Sequence, residues 1–355
     1  MTLSKLSREE VNLIKGVGIL LIVLHNFFHN LPPILGENEF VFFSQIISKY
    51  SNELANEPQR AVTLVFSLWG HYGVELFIFV SVYGSTLSYS KKSKTYNKFI
   101  SEKFKGLYFS FLVCVVAYII LGLVKETLSG DKVIFFDEIL WKLLLISNFI
   151  PGQTLTPVGP WWFIPFIFQL YLILPLLIWL KTKFTVKIIY LVGLSGGIVE
   201  LLFLGELPQL NASPFGHLPL ICLAIILVGF KQIKISRTII LISVLLFFAS
   251  QYIYPIWLIS DLIITLLLIT LTSKLLFQLT TDNYLYRFFS FYGTLSLHLF
   301  LVNGFLRSPF KSLSSSLDSW YGEIAAAILS LLFSTIFALC LKWIENRLRL
   351  QINIT

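Results

Sequence analysis

The chain has 355 residues, 56% of them hydrophobic and only 13% charged, with a formal net charge of +8 and a mean hydropathy of +0.80. A soluble domain carries about 25% charged residues, so this chain lacks the polar surface to cover a water-soluble body, and a polytopic membrane protein is the class left. The basic excess does not point to nucleic acid, because Lys and Arg fall in short runs between apolar segments, as the positive-inside rule expects.

A spanning helix needs about 20 mostly apolar residues. By that measure spans are predicted over 11–30, 70–90, 104–124, 161–181, 187–205, 218–230, 238–253, 255–279, 286–306 and 322–345, about ten in all. If they alternate, the basic runs fall on one side: Lys5, Arg8 and Lys15; Lys91 to Lys105; Lys181 to Lys187; Lys231 to Arg237; Lys274 and Arg287; Arg347 and Arg349. The opposite loops are poorer in them (GELPQLNASPFG and QYIYP hold none), with Arg307 and Lys311 as exceptions. Both termini are therefore expected in the cytoplasm. The fold class is an all-α polytopic bundle, one domain over 1–355 with outer segments at 31–69 and 125–160. Each of those holds a stretch with helical spacing, SQIISKYSNEL and FFDEILWKLLLISNFIPG. Cys114, Cys222 and Cys340 lie in apolar segments and imply neither a disulfide framework nor a metal site. The first apolar stretch has the length of a spanning helix and no small-residue cleavage site, so no cleavable signal is expected.

Ionisable groups in hydrocarbon are costly and mark candidate sites. The first span, NLIKGVGILLIVLHNFFHN, carries Lys15 near one end and His25, Asn26 and His29 near the other. Lys15 could reach interfacial water by snorkelling; His25, roughly 15 Å further along the helix, has less room to do so. Positions eleven apart share a stripe, so Asn26 aligns with Lys15, and His25 and His29 are neighbours. In the antiparallel second span, HYGVELFIFVSVYG, Glu75 lies at similar depth and could orient an imidazole and support the imidazolium. In KKSKTYNKFISEKFKGLYF, a dense basic loop, Lys103 and Lys105 stand at the mouth of the third span and would attract a phosphorylated ligand. The fourth span brings Trp162, which also suits an interfacial belt, and the deeper Gln169 and Tyr171. Glu200 and Asp261 are candidate buried acids without an assigned role. His298 and Asn303 lie in the ninth span, and Glu345 is expected at an exposed, salt-bridged end.

Taken in order, these segments resemble the membrane-bound acyltransferase type 3 family. The opening helix is similar in placing a basic residue before a histidine, GVELFIFVSVYG resembles the GV-acid-LFF segment, and PWWFIPFIFQLYLILPLL the Trp-Phe…Gln-Phe-Tyr…Pro segment. FISEKFKGLYF looks like the basic entry to the third span, and FGHLPLICLAI, YGTLSLHLFLVN and LKWIENR like later landmarks. The chain departs from the pattern with Lys15 for the usual Arg, nine rather than ten residues before His25, and with Lys103 and Lys105 for arginines. The resemblance implies transfer of an acyl group, with acetyl favoured, from cytoplasmic acyl-CoA to a hydroxyl of a surface polysaccharide or lipid-linked sugar, in a bacterial cell membrane. Acyl-CoA (acetyl-CoA) would be a co-substrate, not a resident cofactor. On that reading His25 is the base or an acyl relay, with His29 its alternative and Glu75 its orienting acid. Lys15, Lys103 and Lys105 hold the donor, and Asn26, Trp162, Gln169, Tyr171 and Asn303 line the acceptor site. A proton-coupled transporter or flippase is the rival reading, and a non-catalytic scaffold a third.

Overall fold

The computed structural model describes residues 2–32, 34, 39–92, 95–203 and 211–352. Lys94 and the first half of the outer segment GELPQLNASPFG lie outside the described residues. The helices are α1 (Arg8–Phe28), α2 (Ser44–Asn56), α3 (Ala61–Trp69), α4 (Gly73–Lys92), α5 (Tyr96–Ser129), α6 (Phe136–Leu143), α7 (Phe163–Phe184) and α8 (Val186–Phe203). They continue with α9 (Leu218–Leu227), α10 (Arg237–Ser250), α11 (Tyr254–Trp257), α12 (Ser260–Leu275), α13 (Tyr284–Leu306), α14 (Ser308–Leu317) and α15 (Trp320–Gln351). Helices stand at each predicted span, and among the described residues seven are long and apolar enough to cross a membrane. The positions predicted over 218–230 and 238–253 hold shorter apolar helices, Leu218–Leu227 and Arg237–Ser250, and that over 255–279 is broken into α11, of 4 residues, and α12, of 16.

Two boundaries differ from expectation for local reasons. The second crossing begins earlier, as a helical run from Pro58 to Ser90, because a 3-10 turn at Gly70–Tyr72 joins α3 to α4 without ending the helix. The basic stretch predicted as a loop is mostly helix, since α5 starts at Tyr96 and carries Lys98, Lys103 and Lys105 on its first turns. One small β-ladder departs from the all-α reading. β1 (Thr2–Ser4) pairs antiparallel with β2 (Gln232–Lys234), extended by the Lys5 amide donating to the Lys231 carbonyl at 3.2 Å.

α1 is the central strut. Ser7 and Glu10 close a capping box at its start, satisfying amides that a helix end otherwise leaves unpaired. Leu13, Ile14, Ile19 and Ile22 are buried along its length. It packs tightly on α13, where a side chain at Gly293 would collide with the Asn12 backbone; small residues allow such close approach between membrane helices. At one end of the bundle the N-terminal strand meets 231–234, and Arg349 donates to the Lys105 carbonyl at 3.3 Å and to that of Gly106 at 3.0 Å. Several basic runs therefore converge on one end. At the other end Arg60 ties the outer segment 31–69 to the start of α15, donating to Glu53 at 3.0 Å, Glu323 at 2.5 Å and the Pro32 carbonyl at 2.9 Å.

The outer segment 125–160 docks on the bundle where Asn148 pairs with Gln169 of α7 at 2.8 Å and the Leu143 carbonyl accepts from Tyr108 of α5 at 2.9 Å, and Lys142 on α6 closes the segment on itself. Lys142 is fully buried, and its Nζ donates to the Thr154 carbonyl at 2.5 Å. Burial pushes this ammonium down to about 7, with Glu138 opposing the shift. The folded protein thus holds fewer protons here than the unfolded chain between about pH 7 and the ordinary lysine value, so stability rises with pH across that window. Thermal unfolding of detergent-purified protein should show midpoints climbing from pH 7 to pH 9. Lys142→Met should flatten that slope; an equal slope in the variant would show that Lys142 does not cause it.

Candidate active site

Two cavities lie end to end along α1. The outer one, about 280 Å³, is lined by His25, Asn26 and His29 of α1 with His71, Trp162 and Arg307. The inner one, about 180 Å³, is lined by Lys15, Ser81, Leu107 and Tyr171. Ile22, Val74 and Phe300 border both, so three apolar side chains form the partition. Phe40 stacks edge-on against Trp162, with ring centroids 5.1 Å apart.

His25 is held from the end of α3. Its Nδ1 lies 3.0 Å from the Ser67 carbonyl and 3.3 Å from that of Phe66. A carbonyl only accepts, so Nδ1 carries the proton and Nε2 keeps its lone pair. Nε2 is buried and makes no hydrogen bond. The carbonyl end of α3 is also the negative end of its dipole, which favours an imidazolium when one forms. Gly70 makes this approach possible, because a Cβ there would stand 2.7 Å from the His25 Cβ. His29 stacks on His25 with centroids 4.4 Å apart, and its nitrogens are engaged differently. Nδ1 donates to the His25 carbonyl at 2.7 Å, and Nε2 accepts from the Asn30 amide at 2.7 Å.

The expectation that Glu75 orients His25 is corrected. Glu75 lies on the far side of α4, where its Oε2 is 3.2 Å from Nδ1 of His217, which also stands 3.0 Å from Asp261 Oδ2. The residue of the second crossing beside His25 is His71, whose ring meets it edge-on at 5.4 Å. His71 stands inside the predicted span 70–90 but was given no role, and its place at the head of HYGVELFIFVSVYG was the available signal. Arg307 was also missed as a site residue, although its place as an outer exception to the charge bias was the available signal. Its Nη1 donates to the Asn26 carbonyl at 2.5 Å, and it lines the outer cavity.

The remaining site residues divide by location. Trp162 and Asn26 line the outer cavity, while Lys15 and Tyr171 line the inner one, with Lys103 Nζ 4.7 Å from the centre of the Tyr171 ring. Lys105 is not there. It borders a separate cleft of about 350 Å³ with Lys98 and Arg349, because residues two apart on a helix point about 200° apart. Asn303, 2% exposed, accepts from the Asn26 amide at 3.0 Å and donates to the Phe300 carbonyl at 2.7 Å. It therefore holds Asn26 from behind and lines neither cavity. Gln169 is likewise behind the wall, paired with Asn148 by two amide hydrogen bonds of 2.8 Å. Glu345 is not an exposed end. It is buried and accepts from His298 at 2.7 Å, Arg349 at 2.7 Å and Ser110 at 2.9 Å.

Ionisable side chains lining adjoining cavities inside a multi-pass helical bundle define a membrane protein that works on something held within its own fold. A family model for an acyltransferase domain, Acyl_transf_3, matches residues 8–343, and the chain belongs to this acyltransferase 3 family. It is an acyltransferase acting on groups other than amino-acyl groups, which sets aside the carrier and the scaffold. No curated protein and no solved structure matches the chain significantly.

Proposed function

We propose that the protein is an O-acyltransferase of a bacterial cell membrane. It moves an acyl group, acetyl in the simplest case, from cytoplasmic acyl-CoA in the inner cavity to a sugar hydroxyl in the outer one. The observation that carries this reading is the His25 imidazole: its proton is tied up on Nδ1, its Nε2 lone pair is unengaged, and it lines a cavity one partition away from Lys15. The convergence of the basic runs on one end supports a cytoplasmic location for both termini and about ten crossings.

A thioester is already activated, so the protein must deprotonate the hydroxyl, align the reactants and steady an oxyanion. His25 Nε2 takes the hydroxyl proton as the sugar oxygen attacks the thioester carbonyl. The tetrahedral intermediate collapses, the carbon–sulfur bond breaks, and the imidazolium returns the proton to the CoA sulfur. Ester and free CoA leave. The same lone pair is placed for a covalent acyl-histidine route, with the acyl group carried on Nε2 before the hydroxyl attacks. Lys15 and Lys103 hold the donor by charge, and Tyr171 packs beside it. Asn26, Asn30 and Arg307 contact the acceptor through amide and guanidinium groups, with Trp162 as its stacking platform. His29 supports the His25 ring by stacking and by its hydrogen bond to the His25 carbonyl.

The test is thioester consumption. Purified protein given acetyl-CoA and a panel of bacterial surface glycans should release CoA only when a suitable glycan is present, and that glycan should gain the mass of an acetyl ester. Acceptor-dependent movement without CoA release would reject the reading.

A further inference from the structure

On the opposite side of α4 from His25, three side chains converge: Glu75 of α4, His217 just ahead of α9 and Asp261 in the first turn of α12. We infer that they form a binding site for one divalent transition-metal ion, a structural site separate from the transfer reaction.

The donor geometry carries the inference. The ligand atoms of Glu75, His217 and Asp261 all lie within 4.8 Å of one another, and His217 Nδ1 is 3.2 Å from Glu75 Oε2 and 3.0 Å from Asp261 Oδ2. Tetrahedral ligands about 2.1 Å from an ion stand about 3.4 Å apart, so small side-chain shifts would seat one. His217 is also oriented as metal-bound histidines are. Its Nε2 donates to the Asn211 carbonyl at 2.9 Å, which turns Nδ1 to the carboxylates, where it would ligate once free of any proton it shares with them. Despite their closeness, His217 Nδ1 and Glu75 Oε2 do not meet in hydrogen-bonding geometry, and both are buried without such a partner.

Unpartnered buried donors supply the independent observation. Glu75 is 5% and Glu200 2% exposed, and Glu75 Oε2 and Glu200 Oε1 each lack a hydrogen-bond partner, with Glu200 outside the group of three ligand atoms and placed as a neighbouring acid that tunes it. Carboxylates grouped inside an apolar bundle either keep their protons or need a counter-charge. A divalent ion supplies that counter-charge, and a set of one imidazole nitrogen and carboxylate oxygens suits zinc or manganese. The Asp261 side chain is 29% exposed, which gives an entry route. Such an ion would join α4 and α12 to the segment entering α9, and so brace the face of α4 behind the two cavities.

The experiment is elemental analysis of the detergent-purified full chain, prepared without chelator, then stripped with EDTA and reloaded with zinc chloride. About one zinc per chain is expected after reloading, with a higher melting temperature than the stripped protein. Asp261→Asn and His217→Ala should each hold less than a quarter of that zinc while eluting as intact protein on size exclusion. Glu200→Gln should bind zinc at least tenfold more weakly. Wild-type protein that retains no zinc or manganese after reloading would overturn the proposal and leave an imidazolium bridging two carboxylates. So would zinc retention or stabilisation that is equal in Asp261→Asn, since that marks binding elsewhere. Because none of these readouts involves acyl transfer, their failure leaves the proposed activity standing, and the reverse also holds.

Discussion

Replacing His25 with alanine should remove nearly all acyl transfer, with loss on the order of 10²–10⁴-fold, the usual contribution of a positioned acid–base group. The acyl-histidine route would lose at least as much, because the bond-forming nitrogen is gone. His29→Ala should cost far less, about tenfold or under. Both His29 nitrogens are already in hydrogen bonds, to the His25 carbonyl and from the Asn30 amide, so its deletion disturbs His25 only through lost support. The measurement is ester content of surface glycans by mass spectrometry in cells carrying each variant at equal membrane abundance. Full ester content with His25→Ala would remove the histidine from the chemistry. A larger loss from His29→Ala than from His25→Ala would transfer the role to its neighbour.

The second large effect concerns the partition. Ile22 is 3% exposed and borders both cavities, together with Val74 and Phe300. Reaction across this boundary requires that the thioester and the hydroxyl meet there. Ile22→Trp would fill the junction with an indole, at a stability cost of about 1–3 kcal/mol for overpacking. Transfer should fall more than about tenfold, since misplacing reactants by about 1 Å can cost on the order of 10²-fold. Ile22→Val, which keeps the shape and gives up one methylene, should retain most of the activity. Equal activity in the two variants would show that the reactants do not meet at Ile22.

The apolar helices, and the presence of an imidazole within the first of them, were legible because both signals are one-dimensional. Hydropathy is a property of composition, and an imidazole inside an apolar run is visible without knowing its neighbours. Partners were not legible, for a geometric reason. Glu75 and His25 share a depth, yet helix rotation about the axis decides whether they face each other, and Gly70–Tyr72 turns α4 so that His71 faces His25 instead. The pairing of Glu75 with His217 and Asp261 joins segments far apart in the chain, and no local pattern encodes it. Glu345 was misread because charges near a chain end are usually solvated, whereas α15 carries this one back against His298 and Ser110. The separation of Lys103 from Lys105 follows from helix periodicity alone, and the two lysines could have been told apart in advance.

The central claim is that a donor from one side of the membrane and an acceptor from the other meet at His25. Proteoliposomes with radiolabelled acetyl-CoA confined to the compartment facing Lys103, and acceptor glycan present only on the opposite side, test it directly. Labelled glycan should accumulate on the acceptor side with wild-type protein, and neither His25→Ala nor Ile22→Trp should support it above background. Label that reaches the glycan only when donor and acceptor share one compartment would contradict the account.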